Sequence, residues 1–461
     1  MTGSESVTAP ATAPRSVGLP RRQLSVWHAV SVCVGMVIGA GIFKTTPLAA
    51  LNTGSELELL LLWLLGGAVS LIGALCFAEL AAAFPDAGGD YYFLRRAFGE
   101  RLGFLFAWSR FAVIHTGSMA LLAFVFGDYV SEIIDLGAYG STALAAGMIV
   151  LLAAVNLAGI RFGIHTQVGL MLIVLAGLIS VIVAGIGAAL SPGGGAAPPP
   201  AVGALPQSQV GVALIFVFLA YGGWSDAATL SAEMRDARRG IQRALLIGLA
   251  IVTVLYVLVN WAFLQGLGLS GLARSEAPAA DLMLQVFGPT AQLLIVSVVA
   301  ITSIAVMNAI LIAGARTTYA AARDLGGLTR LAHWHETRGT PPASVMALAT
   351  VALALVALGT YTRGGFSTMV DYLTPVYWFF LALSGTAVIV LRRTAPEVVR
   401  PFRVPFYPVL PGVFVLCSLY VLYSSLVYVS LGAVVGIAVL AVGLLLLALR
   451  SRWTRRPIQR F

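Results

Sequence analysis

From Val404 to Leu449 the chain carries no charged residue, and charge-free runs recur at residues 59–78, 166–190, 244–268 and 282–315. Such runs leave few options. About 20 apolar residues in a helix match the hydrocarbon thickness of a bilayer, and a backbone facing lipid must satisfy its own hydrogen bonds. The spacing predicts helices at about 26–51, 57–82, 102–130, 141–159, 164–190, 208–233, 242–268, 280–322, 343–361, 366–391, 408–428 and 431–449, the last two separated by a turn near Ser430 and Gly432. The reading is an all-α integral membrane protein with twelve transmembrane helices. With 59% hydrophobic and 10% charged residues and a mean hydropathy of +0.93, an ordinary soluble domain is excluded.

Basic residues test the count, because they gather in cytoplasmic loops. Alternate segments hold 24 of the 28: Arg15, Arg21 and Arg22; Arg95, Arg96 and Arg101; Arg161; Arg235, Arg238, Arg239 and Arg243; Arg316, Arg323, Arg330 and Arg338; Arg392, Arg393, Arg400 and Arg403; and Arg450, Arg452, Arg455, Arg456 and Arg460. The opposite side holds Lys44, Arg274 and Arg363. Both termini are therefore expected in the cytoplasm, and a bacterial cytoplasmic (inner) membrane is the expected location. The net charge of +9 is explained by topology and anionic lipid, with no nucleic acid required. Residues 1–23, rich in Thr, Ala, Pro and Ser, read as a disordered cytoplasmic tail, residues 24–451 as the membrane domain, and 452–461 as a basic cytoplasmic tail.

Two of the helices are interrupted. Gly35-Met36-Val37-Ile38-Gly39-Ala40-Gly41-Ile42-Phe43 lies in the first and Ala220-Tyr221-Gly222-Gly223-Trp224 in the sixth. Glycines weaken a helix, and an unwound stretch inside a membrane survives where it lines a cavity. Small residues four apart also serve close helix packing, but a second break in the other half of the chain favours a site. Paired broken helices, one in each half, point to a secondary transporter with a substrate site at mid-membrane. A zwitterionic amino acid suits such a site. Free N–H groups at Ala40, Gly41 and Ile42 would meet its carboxylate, and carbonyls at Val37, Ile38, Leu219, Ala220 and Gly222 its ammonium, while Gly39, Gly41, Gly222 and Gly223 allow close approach.

These residues resemble the amino acid–polyamine–organocation superfamily, and within it the L-type and related bacterial amino acid transporters. The resemblance covers nearly the whole chain after the tail. Besides the two breaks it is carried by Ala78-Glu79-Leu80 with Phe84-Pro85 and Gly88-Gly89, Tyr91-Tyr92 before Ala97-Phe98-Gly99, Ala315-Arg316 with Tyr319-Ala320 and Ala322-Arg323-Asp324, and Arg400-Pro401-Phe402-Arg403-Val404-Pro405. It implies two inverted five-helix repeats of the LeuT-like type, at about 26–190 and 208–391, with two extra helices at about 408–449. It also implies that helix 1 amides hold a substrate carboxylate and helix 6 carbonyls an amino group, so that Ile38, Gly39, Ala40, Gly41, Ile42, Leu219, Ala220, Tyr221, Gly222, Gly223 and Trp224 form the binding site.

The chain departs from its relatives in places. Leu219 stands where many carry an aromatic gate, which leaves Tyr221 or Trp224 as the aromatic lid, and Ala237 and Gln242 stand where relatives have prolines. Helix 5 has no lysine, the residue that replaces a sodium ion or carries a proton in some relatives. Asp226 is then the leading proton-coupling candidate, since burial raises a carboxyl's pKa, although it also fits as a cap or partner for Ser225 and Thr229; Asp371 and His115 are weaker alternatives. Arg110 lies inside the third span near its cytoplasmic end, where it can snorkel. Glu79 and Glu233, near arginines, read as members of an inner gate of surface ion pairs.

The expected substrate is a small or medium neutral L-amino acid, moved by exchange or proton symport with alternating access. An amine or polyamine antiporter and a non-transporting amino acid receptor of the same fold are the alternatives. No enzyme is expected, because no nucleophile–base–orienter set is visible. Neither a cofactor nor a metal site is expected: Cys33, Cys76 and Cys417 fall in apolar spans, and His333-Trp334-His335-Glu336 lies in a loop. L-type relatives carry a cysteine between helices 3 and 4 that joins a glycoprotein partner. Residues Gly127 to Gly140 have none, so no disulfide-linked subunit is expected, and the chain is read as a monomer or non-covalent homodimer.

Overall fold

The structure, a computed structural model, describes residues 26–85, 89–159, 164–191, 208–225, 237–325, 330–335, 340–427 and 431–453. Among these the only β pairing is an isolated bridge between His335 and Thr340. Everything else of regular structure is helical, as charge-free runs in a bilayer require. The helices are α1 (Val26–Val37), α2 (Ile42–Leu51), α3 (Glu56–Ala83), α4 (Asp90–Phe98), α5 (Glu100–Ser109), a π-helical segment (Arg110–His115), α6 (Thr116–Ser131), α7 (Gly140–Leu157), α8 (Ile164–Leu190), α9 (Val210–Ala220), α10 (Ala237–Arg274), α11 (Pro278–Phe287), α12 (Pro289–Leu325), α13 (Pro342–Tyr361), α14 (Phe366–Thr394), α15 (Val409–Val427) and α16 (Leu431–Trp453).

Among the described residues ten helices are long and apolar enough to cross a membrane, counting α5 to α6 as one, and the bent pair α1–α2 makes eleven. The twelfth expected span, 208–233, is represented by the short apolar helix α9, and its inner part from residue 226 lies outside the described residues. One expectation is corrected. The run at 280–322 is two helices, because Gly288 takes a positive φ of 83° and Pro289 starts α12 afresh. The stretch carries no charge, which is why it reads as continuous by length, although Gly288-Pro289 is itself a break signal.

Two sets of helices pack mainly among themselves. In the first, α10 lies against α1, α2 and α3, and α9 against α2 and α3. In the second, α6 lies against α7, α12 and α13. Helix α8 touches α10 of one set and α12 of the other, and α14 touches α3 and α6, with α15 and α16 packed on its outer side.

Small residues bring the axes close, which matters because helices in lipid gain association energy from contact rather than from expelling water. Gly67 of α3 lies against Thr253 of α10, and Gly185 of α8 lies against the backbone and Cβ of Ala262 on α10. Some buried polar side chains are satisfied within their own helix and others across helices: Ser109 and Thr116 donate to carbonyls one turn back, and Asn156 of α7 donates to Asn308 of α12 at 2.7 Å. Replacing Gly185 by valine forces α8 off α10, with an expected cost of about 1–3 kcal/mol. A thermal melt of the detergent-purified variant should show the loss, with Gly147→Val, which meets nothing within 4 Å at its Cβ, as the control.

Candidate functional site

The first helix breaks after Val37. The axis turns by 49° before α2 resumes at Ile42. Ile38 N–H still donates to Val34 O (2.8 Å) and Gly39 N–H to Val37 O (2.9 Å), whereas the first bonds of α2 run from Phe43 to Ala40 O and from Lys44 to Gly41 O. The amides of Ala40, Gly41 and Ile42 therefore have no backbone acceptor among the described residues. They form the positive end of the α2 dipole. A Cβ at Gly41 would meet nothing within 4 Å, so this end faces open space.

The second break follows Ala220. Tyr221 N–H reaches Val217 O and Gly222 N–H reaches Leu219 O, and then Gly223 takes φ 95° and the described chain turns through Trp224 to Ser225. A side chain at Gly223 would run into the carbonyl oxygen of Met36. The two breaks thus touch, backbone on backbone, at a point where only glycine fits.

Tyr256 of α10, fully buried, fixes this junction. Its hydroxyl lies 3.0 Å from Val37 O and 3.2 Å from Ala220 O, the last carbonyls of α1 and α9. A hydroxyl carries one proton, so the two carbonyls share it, and Val37 O accepts from the Gly39 amide as well. The ring is held among aromatics, with centroids 5.6 Å from Trp63 and 5.1 Å from Tyr221. One turn on, Asn260 donates to Tyr256 O, and its buried side-chain oxygen has no hydrogen-bond partner among the described residues.

All eleven expected site residues from Ile38 to Ile42 and Leu219 to Trp224 are described, and they come together. Ile38, Ala40, Ile42 and Ala220 are buried, while Gly39, Gly41, Leu219, Gly222 and Gly223 are half-buried. The lid expectation is corrected. Tyr221 donates to Trp63 O (2.9 Å) and is enclosed, and Trp224 is wedged between Phe77 and Phe414 over Gly73. Both side chains anchor the break from behind, leaving their backbone for the site. The aromatic hydroxyl nearest Gly222 belongs to Tyr377 of α14, 3.7 Å from the Cβ position. Tyr256, Trp63 and Tyr377 had no distinguishing signal, since each is an aromatic within an apolar run.

Asp226 and Glu233 lie outside the described residues. His115 is buried at the end of the π-helical segment, where Tyr372 donates to the Ala112 carbonyl at 2.6 Å, and Arg110 lies 5.7 Å from the Phe106 ring. Asp371 precedes Tyr372 on α14.

Glu79 differs from the surface pair expected of it. The residue is 2% exposed, and its carboxylate accepts from Arg392 Nε (2.7 Å), Arg392 Nη2 (2.5 Å) and the Val404 amide (2.7 Å), with Arg400 Nε at 3.6 Å. The Arg392 guanidinium also stacks 3.9 Å from the Tyr407 ring, and Arg400 donates to the carbonyls of Leu391, Ala395 and Val398. The end of α3 is therefore clamped to the end of α14 and the following loop. The arginines marked the pairing in the sequence, but the fold of residues 395–408 over the carboxylate is what buries it.

A family profile described as amino acid permease matches residues 24–449. The human Large neutral amino acids transporter small subunit 2 is 28% identical to the chain, over 99% of this chain and 85% of that protein. The b(0,+)-type amino acid transporter 1 of Mus musculus is 27% identical over 88% and 83% respectively, and the Asc-type amino acid transporter 1 of Mus musculus 27% over 95% and 82%.

Two stability changes follow from the geometry. Gly223→Ala must move Met36 or strain a left-handed backbone, at an expected cost of about 1–3 kcal/mol, measurable as a lowered melting temperature. Glu79→Gln leaves two arginines facing a neutral partner in a buried clamp. A loss of about 3–5 kcal/mol is expected, read as early aggregation on heating, with Glu56→Gln at the exposed start of α3 as a control.

Proposed function

We propose, from the premise that this chain belongs to the amino acid permease family, that it is a secondary active transporter of small or medium neutral L-amino acids, working by exchange or proton symport with alternating access. Membership of this family within the amino acid–polyamine–organocation superfamily, together with the apolar helices, makes it an integral membrane protein; transport, substrate and mechanism are the proposal. The observation that carries it is the contact of the two breaks at Gly223 and Met36 under the single donor Tyr256. That contact sets free amides at Ala40 to Ile42 beside carbonyls of α1 and α9, the complement of a carboxylate and an ammonium held apart on one Cα. The described side chains around the breaks supply rings and hydroxyls and no formal charge, which favours a neutral substrate. The human relative is itself named for large neutral amino acids.

In this reading α9 with residues beyond 225 completes twelve spans. The spans from α1 to α8 and from α9 to α14 form two inverted repeats, and α15 and α16 stand outside them. The two helix sets rock about the breaks. Asp226 is the candidate proton carrier, and Glu79 and Glu233 hold the inner side. The charge distribution favours both termini inside, and a bacterial cytoplasmic membrane remains the proposed location. The relative's name as a small subunit concerns that protein; this chain's three cysteines all lie in helices, so a monomer or non-covalent dimer is the proposed state.

Proteoliposomes test the proposal. Labelled neutral amino acids are offered under an inward proton gradient, or to vesicles preloaded with unlabelled amino acid. Gradient-driven uptake lost in Asp226→Asn is expected for symport, and uptake only with preloading for exchange. Gly41→Val, whose side chain enters open space, should keep its melting temperature and lose at least about tenfold in uptake. Specific binding without uptake in either arm would replace transport by the receptor reading.

A further inference from the structure

Lys44 is the only lysine of the chain, and it stands in the first turn of α2, within a membrane helix where an ammonium is costly. Its side chain is 7% exposed. The ammonium meets Asp128 Oδ2 at 2.7 Å, Glu276 Oε2 at 2.5 Å and the Glu276 carbonyl at 2.9 Å, so each of its three protons has an acceptor. Asp128 belongs to α6, and Glu276 to the connection between α10 and α11. Ser141 at the start of α7 donates to the other oxygen of Asp128 and holds that carboxylate in place.

The neighbouring residues repeat the link. Tyr129, fully buried, donates its hydroxyl to the carbonyl of Phe43 at 3.1 Å, and the two rings pack edge to face at 6.3 Å. Consecutive residues of α2, Phe43 and Lys44, are thus tied to consecutive residues of α6, Tyr129 and Asp128. These helices belong to the two different packing sets, and most of α2 is buried. Acidic groups exceed the one lysine here. Burial, and then the Asp281 carboxylate, raises the Glu132 carboxyl above the usual range at the end of α6. One acceptor of Lys44 is wet, with the Glu276 side chain 79% exposed. A pair sealed on both sides is hard to separate, whereas water can replace an exposed carboxylate at small cost.

We propose that Lys44 is a positioning residue that locks the outer half of the first helix shut: seated on Asp128 and Glu276 it closes the external path to the breaks, and leaving both it opens that path. The inference rests on the transport reading above. It places the moving joint at α2 against α6, with Tyr129 as a second tie released in the same step.

Electron–electron distance measurement on the full-length protein in lipid nanodiscs tests it. Spin labels go on Leu51→Cys at the end of α2 and Leu136→Cys beyond α6, both exposed, with Cys33, Cys76 and Cys417 replaced by serine. The parent should give one short distance. Lys44→Met and Asp128→Asn should each add a longer population, Glu276→Gln a smaller one, and the exchange of Lys44→Asp with Asp128→Lys should recover part of the short distance. Unshifted distances in Lys44→Met and Asp128→Asn, even with a lowered melting temperature, would reduce Lys44 to a structural ion pair and overturn the proposal. Should Lys44→Met aggregate, Glu276→Gln decides by the same shift. No substrate is present in the measurement. A shift without amino acid uptake in any vesicle arm would remove the transport reading alone, and uptake without a shift would remove the lock alone.

Discussion

The structure depends on one constraint: a backbone amide or carbonyl freed inside a bilayer must find a partner in the protein. The first helix breaks between α1 and α2, α9 ends at Ala220, and the carbonyls of Val37 and Ala220 converge on one hydroxyl, that of Tyr256. Because the donor comes from α10, the two breaks are held at the same depth by a third element belonging to neither. The aromatic wall of Trp63 and Tyr221 then fixes the donor, and Gly66 lets Tyr221 approach α3. What is left over is the set of amides from Ala40 to Ile42, and their lack of a backbone partner is the chemical opportunity of the site.

Charge is distributed on the same logic. Around the breaks the described residues present dipoles, which suit the proposed zwitterionic substrate because they can bind it without a formal charge. Formal charges stand further along the helices and are paired there. Glu79 is clamped by arginines and a backbone amide at the end of α3, and Lys44 by two carboxylates and a carbonyl in α2. The first cluster is satisfied within buried protein on nearly every side, whereas the second has one exposed acceptor. That contrast is what separates a clamp from a releasable tie.

Much of this was legible in the sequence because lipid imposes a coarse code. Charge-free length located the long apolar helices, and clustered glycines marked the stretches where α1 and α9 end. Side-chain direction was not legible. Tyr221 and Trp224 stand in the break motif and yet face the core, and Tyr256 and Tyr377 look like any aromatic in an apolar helix. Gly288-Pro289 did carry a helix-break signal, but charge-free length alone passes over it. Glu79 read as a surface charge because burial there comes from a loop, residues 395–408, whose fold no periodicity describes.

The π-helical segment Arg110–His115 has a geometric consequence for everything beyond it. Each added residue advances an α-helix by roughly 100° about its axis, and a π-turn absorbs one residue without breaking the helix. Helix α6 is therefore rotated in azimuth relative to α5, so that α5 can address α16 through Trp108, which donates to Val439 O, while α6 addresses α2 through Asp128 and Tyr129. The segment works as a phase shifter built into a single rod. Removing one residue from it would turn the outer half of the helix as a screw turns, carrying Asp128 and Tyr129 away from α2 without altering a single side chain between them.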